Sequence, residues 1–312
     1  MIPAYNASAT LAETLASVLA QDPGPAAMQI EVVDDCSTRD DLRPLVERIG
    51  MGRIGFCRQP RNLGVAGNLT ACIRRARGGL VHLLHADDLV RDGFYARMQR
   101  AFEAEPAVGA AFCRHNFIDV GGHILSLSPL ERRDSGGLEN AAERLAEEQR
   151  IMAPAMVVRR SVYEALGGFD DRLVCAEDWE MWVRIAARYP IWYEAEPLAC
   201  YRMHEDSNTG RHLRTGEDTR YSGLAIALFA AYLPPDTARR VVPKARKTYA
   251  LAALRNMESL LRRKDAAGAA AQFREALRLC RSRAVIARAA RLVWQSGLAA
   301  LLNRRQPPSS PP

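Results

Sequence analysis

Three pairs of neighbouring carboxylates carry the clearest chemistry in this sequence. Asp34-Asp35 and Asp87-Asp88 each follow a short apolar segment, and Glu177-Asp178 begins a segment with helical spacing. Carboxylate oxygens are hard ligands that suit Mn²⁺ or Mg²⁺, and a divalent cation can neutralise a departing diphosphate. A carboxylate can also take the proton from an attacking hydroxyl. The pairs therefore predict a site for metal-assisted group transfer, with Asp87 and Asp88 as the metal candidates.

Alternating strands and helices must position these carboxylates. Apolar, β-branched segments predict strands at residues 28–33, 54–58, 80–84, 110–118, 156–158 and 192–202. Helical spacing predicts helices at residues 8–20 (with Ser8 as the cap), 42–49, 68–76, 139–148, 161–166 and 177–189. This order indicates an α/β fold with a mixed, mostly parallel sheet flanked by helices. Ligands bind at the carboxyl ends of such strands, where we expect both aspartate pairs.

The bulk composition limits the class of protein. The chain has 312 residues, of which 48% are hydrophobic and 25% charged, as in an ordinary soluble globular protein. No apolar run reaches the ~20 residues of a membrane span, and the opening residues do not resemble a secretory signal. The seven cysteines are scattered and form no C-x-x-C pair, so we expect a reducing, cytoplasmic location without disulfides or zinc.

Charge divides the chain into unequal parts. From Leu213 onward there are 19 basic and 6 acidic residues, whereas the preceding part is net acidic. We therefore predict a catalytic domain at residues 1–212, a basic helical extension at residues 213–306 and a disordered Pro/Ser-rich tail at residues 307–312.

The extension is predicted to hold a helical hairpin and a basic amphipathic helix. The hairpin spans residues 246–263 and 265–281, and the amphipathic helix spans residues 284–305. This helix could lie on an anionic membrane at the inner face, where a lipid-linked acceptor would be found. It could equally pack on the catalytic domain with its basic side in water.

A series of short motifs resembles the family 2 glycosyltransferases in order and spacing. The motifs are PAYN at residues 3–6, VDDCST at 33–38, NLGVAGN at 62–68, HADD at 85–88, RRS at 159–161, GGFD at 167–170, Glu177-Asp178 with Trp182, and YRMH at 201–204. The resemblance covers roughly residues 1–210. It implies the GT-A fold and inverting transfer of a sugar from a nucleotide-diphosphate donor, UDP being the favoured nucleotide. The implied acceptor is a glycan or lipid-linked hydroxyl in the synthesis of cell-surface polysaccharide or lipid-linked glycan.

The resemblance also implies a nucleotide pocket. Asp35 would accept a hydrogen bond from the base of the donor. Other residues implied in nucleotide binding are Pro3, Tyr5, Asn6, Asn62, Gly64, Asn68 and Asp87. The alternative for Asp35 is a turn in which it caps the next helix. The glycine could be required by a turn or by close approach of the backbone to the ligand.

In the metal site, the resemblance places Asp88 on the metal and Asp87 on the ribose or in the metal shell. His85 stands where the family often has aspartate, and we expect it to pack behind the ligands rather than to bind the metal. His204 could reach the diphosphate or the metal. Surface positions after a strand are the alternative for the aspartates and for His204.

By the same resemblance Asp178 is the base that deprotonates the acceptor, and Glu177 assists it. The helix N-terminus is expected to lower the pKa of Asp178. Capping of the helix would explain both acidic residues without catalysis. Trp179 and Trp182 could stack on an acceptor sugar, although helical spacing favours at least one of them in the core.

Other classes of protein fit less well. A processive polysaccharide synthase would need membrane spans and a Q-x-x-R-W segment, and a nucleotidyltransferase would need a Gly-rich, Arg-containing opening loop. A nucleic-acid binder would not place acidic residues at strand ends, so no nucleic-acid partner is expected. A non-catalytic nucleotide-sugar-binding or assembly module stays open as the alternative. The first strand is shorter than the family pattern, which leaves open a start upstream of Met1 or a weaker edge of the nucleotide pocket.

Overall fold

The computed structural model describes residues 1–204 and 208–296, in which strands and helices alternate before a helical C-terminal part. The strands are β1 Ile2–Ala4, β2 Glu31–Asp34, β3 Gly55–Arg58, β4 Leu80–His82, β5 Leu89–Val90, β6 Ala110–Ile118, β7 Ile124–Leu127, β8 Gly136–Gly137, β9 Met156–Arg159 and β10 Ile191–Arg202. The helices are α1 Leu11–Leu19, α2 Arg43–Gly50, α3 Gly64–Arg75, α4 Phe94–Ala104, α5 Ala141–Glu147, α6 Arg160–Leu166, α7 Glu177–Ala186, α8 Asn208–Thr215, α9 Glu217–Phe229, α10 Pro235–Arg262, α11 Ala266–Leu279 and α12 Arg283–Ser296.

The strands form two sheets that meet at the chain start. One sheet has the order β1-β2-β3, all parallel, and the other has the order β4-β9-β6-β10-β5 with β7 beside β6 and β8 beside β10. The amino group of Met1 donates to the His82 carbonyl at 2.9 Å, and the Leu84 N–H donates to the Met1 carbonyl at 3.1 Å. These two bonds bring the ends of β1, β2 and β4 to one edge.

The strands form a mixed arrangement, as expected, but with more antiparallel pairings than the sequence predicted. In the described part of the chain, five of the eight strand pairings are antiparallel, and only β1–β2, β2–β3 and β6–β10 are parallel. A parallel pair needs a crossover of a dozen or more residues, whereas β6 and β7 are joined by a tight turn. Three of the antiparallel pairings involve β5, β7 and β8, which are short strands that the sequence pattern did not predict.

Most predicted elements are present, with shifted ends. Helix α1 begins at Leu11, and Ser8 does not cap it because its hydroxyl donates to Asp40 at 2.6 Å. Helix α3 begins at Gly64, so Asn68 lies inside the helix rather than before it. Helix α10 begins at Pro235 rather than at residue 246 and contains Pro243.

Two hydrophobic cores run through the molecule. The main core joins both sheets to α7, α9 and the first half of α10, whose Val241 and Ala245 are buried in it. The second core lies between the rest of α10, α11 and α12. The boundary at residue 212 stays a prediction, and the packing favours a later one. We propose that the catalytic domain extends to Ala245.

Helix α12 is packed on its neighbours. Val285, Ala289 and Leu292 are buried in the second core, and Arg288 pairs with Glu258 of α10 at 2.7 Å. This arrangement favours the packed alternative over a helix lying free on a membrane. The remainder of the predicted 284–305 helix and the 307–312 tail lie outside the described residues. Within the described ranges, no helix is long and apolar enough to cross a bilayer.

Candidate active site

Asp88 sits buried behind β4, at the edge where the strands end. Its Oδ1 accepts the backbone N–H of Arg202 at 2.9 Å, and its Oδ2 is buried without a hydrogen-bond partner. Burial and the neighbouring charge of Asp87 raise the pKa of Asp88 well above its usual value. An oxygen in this state is costly to leave alone, and a bound cation would satisfy it.

His85, Asp87 and Asp88 form one cluster. Each offers a ligand atom, and these atoms lie within 4.8 Å of one another. The Nε2 atom of His85 is also buried without a partner, and burial lowers the pKa of this imidazole, which keeps it neutral and able to bind a metal. His85 was expected to pack behind the ligands, but the structure brings it into the cluster itself. Two carboxylates and a neutral imidazole suit Mn²⁺, and the two carboxylates also suit Mg²⁺.

His204 approaches the same cluster from the end of β10. Its Nε2 lies 3.2 Å from Oδ2 of Asp87. Burial alone would raise the pKa of Asp87, but this hydrogen bond and the nearby imidazole of His85 hold it below its usual value. The structure thus brings together all four residues that the sequence connected with the metal site.

Arg202 is a residue of the candidate site to which the sequence analysis gave no role, although it stands in the YRMH motif. Its buried guanidinium donates to the carbonyls of Asp87 and Val120, both at 2.8 Å, and to the carboxylate of Glu13 at 2.6 Å. Its backbone N–H also binds Asp88. Arg202 therefore fixes both sides of the aspartate pair. The available signal was an arginine at the end of a strand, shortly after the apolar residues 198–200, because a buried cation requires such partners.

Asp35 and Asp34 have different surroundings although they are adjacent. Asp34 is fully buried, pairs with Arg58 at 3.2 Å and accepts the N–H of Ser37 at 3.1 Å, so it builds the turn. Asp35 accepts the N–H of Leu63 at 2.7 Å through Oδ1. Burial raises the pKa of Asp35.

Other residues that were predicted to bind the nucleotide make hydrogen bonds to the protein itself. The amide oxygen of Asn6 accepts the N–H groups of Thr38 and Arg39 at 2.8 and 3.0 Å, which holds the loop after β2. Tyr5 is 43% exposed beside it. Pro3 lies in β1.

The segment before α3 contacts the backbone of Asp35. Asn62 donates to the Asp35 carbonyl at 3.2 Å and accepts the N–H of Gly64 at 3.0 Å. Gly64 has φ +73°, a left-handed conformation that explains the glycine. Asn68 is buried and donates to the Val33 carbonyl at 2.9 Å, so its amide nitrogen ties α3 to β2.

Asp178 lies in the first turn of α7, half-buried. Gln149 donates to both of its carboxylate oxygens at 3.0 Å, and Trp179 donates its N–H to Oδ1 at 2.7 Å. The expected lowering of its pKa is wrong, because burial outweighs these donors and the helix terminus and raises the pKa to about 6. The charge of Asp178 also contributes to the raised pKa of Asp88, so the two groups belong to one electrostatic site.

Glu177 precedes Asp178 and is buried. Burial and the charge of Asp178 raise its pKa to about 8, and its Oε2 has no hydrogen-bond partner. A carboxyl that is largely protonated at neutral pH does not act as a second base there. Capping accounts for one contact of Asp178, which accepts the Trp179 N–H in the first turn of α7, but not for Glu177, whose Oε2 has no partner.

Trp182 does not face an acceptor. Trp179 and Trp182 are both buried in the main core, and Trp182 packs edge-on against Phe169 at 6.3 Å. The proposed stacking of either ring on a sugar is therefore wrong. Helical spacing placed both rings on the inner side of α7.

Comparison with known proteins matches the chain to one family. The model of glycosyl transferase family 2 matches residues 1–167. The uncharacterized protein MT1568 of Mycobacterium tuberculosis is 30% identical over 230 residues, covering 70% of this chain and 68% of that protein. The succinoglycan biosynthesis protein ExoO of Rhizobium meliloti is 35% identical over 120 residues, covering 38% of this chain but only 32% of ExoO.

Two solved structures share the fold at low sequence identity. TarS residues 1–349 from S. aureus, in complex with UDP-GlcNAc, has a TM-score of 0.63 at 14% identity, covering 88% of this chain and 89% of that one. The mannosyltransferase PcManGT from Pyrobaculum calidifontis, in complex with GDP-Man and Mn²⁺, has a TM-score of 0.59 at 21% identity, covering 96% of this chain and 79% of that one. At these identities the likeness concerns the fold, which is α/β, of the GT-A type, with a mixed sheet and a C-terminal helical region.

Proposed function

The chain belongs to glycosyltransferase family 2, and from this premise we propose that it transfers a sugar with inversion from a UDP-sugar to a hydroxyl of a glycan or lipid-linked acceptor. The observation that carries the proposal is one electrostatic site in which a metal-binding cluster, His85, Asp87 and Asp88, neighbours a carboxylate with a pKa of about 6, Asp178.

His85, Asp87 and Asp88 would hold Mn²⁺ or Mg²⁺. The Oδ2 of Asp88 and the Nε2 of His85 fit a cation, because each is a buried polar atom without a hydrogen-bond partner. A bound divalent cation would supply positive charge that stabilises the diphosphate as it leaves. His204 is close enough to Asp87 to orient its carboxylate, and Arg202 holds the backbone of the same residue.

Asp178 is the proposed base. Its ionised carboxylate takes the proton of the acceptor hydroxyl, and the acceptor oxygen forms the new bond to the anomeric carbon. The bond between that carbon and the diphosphate oxygen breaks, and its electron pair leaves with the diphosphate. Gln149 and the Trp179 N–H favour the ionised form that the step needs, and Glu177 stays largely protonated beside it.

The donor and the product class rest on the relatives. TarS is described in complex with UDP and with UDP-GlcNAc, PcManGT with GDP-Man and Mn²⁺, and ExoO as a succinoglycan biosynthesis protein. We propose the base contact for Asp35, with Tyr5 and the loop held by Asn6 at its side. For the product we propose cell-surface polysaccharide or lipid-linked glycan, made on the cytoplasmic side.

Contact with a membrane would have to use the side chains of α12 that remain exposed after the helix has packed on its neighbours. Ile286 and Trp294 are 50% and 85% exposed there, and Arg291 is exposed near them. Peripheral contact with an anionic membrane stays a prediction limited to this side of the helix.

The experiment that tests the proposal is nucleotide-dependent thermal stabilisation. We would compare UDP, GDP, dTDP and CMP with and without Mn²⁺, using Asp88→Asn and, as the matched control, the exposed Asp92→Asn. A nucleotide at ~100 times its Kd should add about 2.7 kcal/mol. We expect a Mn²⁺-dependent shift with UDP in the wild type and in Asp92→Asn that is lost in Asp88→Asn.

Each other result of this experiment would change the proposal in a different way. A Mn²⁺-dependent shift with another nucleotide would keep the site and replace UDP. A nucleotide shift without any turnover of nucleotide sugars would favour the non-catalytic binding module. Equal shifts in Asp88→Asn and Asp92→Asn would remove the metal role of Asp88.

A further inference from the structure

The side-chain amide of Gln149 contacts both carboxylate oxygens of Asp178, the proposed base. Gln149 follows α5, and its Nε2 lies 3.0 Å from Oδ1 and 3.0 Å from Oδ2 of Asp178. Donors that reach both oxygens stabilise the charged carboxylate and fix the plane of the group. A glutamine that only filled space would not need this contact.

Gln149 is itself held by the C-terminal helices. Its backbone N–H donates to the hydroxyl of Tyr249 on α10 at 3.1 Å. The ring of Tyr249 stacks on Trp179 at 4.6 Å between centroids, and Trp179 donates Nε1–H to the Leu145 carbonyl of α5 at 2.6 Å. Segments from α5, α7 and α10 thus form a closed frame around Asp178.

We propose that Gln149 is the residue that positions Asp178, and that Tyr249 holds it in place, so that α10 belongs to the catalytic centre. The inference rests on the proposed function, because it concerns the base of that reaction. It adds a role that the charge pattern of the basic C-terminal third did not indicate.

The other side chains around Asp178 do not stabilise its ionised carboxylate as Gln149 does. The charge of Asp178 contributes to the raised pKa of both Glu177 and Asp88, so neither acidic group stabilises an ionised Asp178. Cys175 and Tyr249 have pKa values raised by burial, so they are neutral, and Glu148 is the further acidic group that acts on Tyr249. Among the described residues, the Gln149 amide and the Trp179 N–H donate hydrogen bonds to the Asp178 carboxylate.

The test is the pH dependence of turnover in matched variants. Gln149→Leu removes the donors at similar volume, Tyr249→Phe removes only the hydroxyl, and Gln99→Leu on α4 is the control, since Gln99 is exposed and donates only to Glu103. Loss of donors raises the pKa of Asp178. We therefore expect the acid limb of kcat to move up by about one pH unit in Gln149→Leu. A smaller move in the same direction is expected in Tyr249→Phe, with the donor KM unchanged in both.

An acid limb in Gln149→Leu that coincides with those of wild type and Gln99→Leu would overturn the inference. If Gln149→Leu does not fold, Tyr249→Phe decides, and an unchanged limb there has the same meaning. Asp178→Asn distinguishes a failure of the proposed function from a failure of the role proposed for Gln149. Full activity in that variant removes the proposed base, whereas loss of activity in it, together with an unmoved limb in Gln149→Leu, removes only the role of Gln149.

Discussion

Asp178 begins a helix, where the backbone dipole lowers the pKa of a carboxyl group, yet burial brings its pKa to about 6. The surroundings also distinguish Asp34 from Asp35. Asp34 binds Arg58 and the N–H of Ser37 in the turn, whereas Asp35 accepts the N–H of Leu63 beside the proposed nucleotide pocket. The type of residue restricts the chemistry available at each position. Burial and hydrogen-bond donors then decide which residue performs it.

The first prediction concerns Asp178 and pH. A base with a pKa of about 6 is ionised above that pH, so wild-type kcat should fall as the pH decreases below about 6. Asp178→Asn should lower kcat by ~10²–10⁴-fold at pH 7.5 and leave Mn²⁺-dependent nucleotide binding intact. Initial rates between pH 5 and 9 would measure both effects.

Stability provides the control for that variant. The folded state raises the pKa of Asp178, so its contribution to stability is present at low pH and lost as the pH rises through about 6. Removing the charge should therefore not lower the melting temperature at pH 8. A large loss of stability at pH 8 would mean that the activity loss reflects unfolding.

At the scale of elements, strand ends and helix starts create the site. Strand β2 ends at the Asp34-Asp35 pair, β4 leads into the metal cluster, and α3 begins at Gly64 beside Asp35. Strand β10 ends at Arg202, which binds the backbone carbonyl of Asp87 in the metal cluster and that of Val120 after β6. The carboxyl edge of the sheet thus collects residues far apart in sequence.

The second prediction concerns Gly64 at the start of α3. Gly64→Ala forces a residue with a side chain into φ +73°, at a cost of roughly 1–2 kcal/mol, and shifts the N–H groups that face Asp35. Nothing lies within 4 Å of the added Cβ, so the cost comes from the backbone alone. We expect weaker UDP binding as well as a lower free energy of unfolding.

Gly79→Ala is the matched control for this element. Gly79 also has open space around an added Cβ but no left-handed φ. Urea unfolding of both variants would separate the two positions. Equal stability of Gly64→Ala and Gly79→Ala would contradict the role given to the backbone conformation.

At the scale of the whole molecule, the helical part is continuous with the catalytic core. Phe229 of α9 and Tyr249 of α10 both pack on Trp179, with centroids at 5.1 and 4.6 Å. Lys244 and Arg240 add pairs to Glu147 and Glu143 of α5. The charge difference along the chain therefore does not mark a structural break at residue 212.

The third prediction concerns truncation. A chain of residues 1–212 would expose the buried face around Trp179, and losing an aromatic partner in a core costs about 3–5 kcal/mol, comparable with the ~5–15 kcal/mol that stabilises a typical domain. We expect this fragment to lack a cooperative melting transition. A chain of residues 1–306, without the predicted disordered tail, should melt like the full chain. Cooperative unfolding of residues 1–212 would restore the early boundary.

The sequence alone determined the family, the α/β alternation and the positions of the carboxylates, because motifs and strand periodicity are local properties. It predicted the metal candidates and the base by number. It could not give the short strands β5, β7 and β8, the direction of β9, the raised pKa of Asp178 or the place of His85 in the cluster. The parts played by Arg202, Gln149 and Tyr249 were equally hidden. These depend on burial and on partners that lie up to 189 residues away in the chain, which come together only once the sheets and helices have packed.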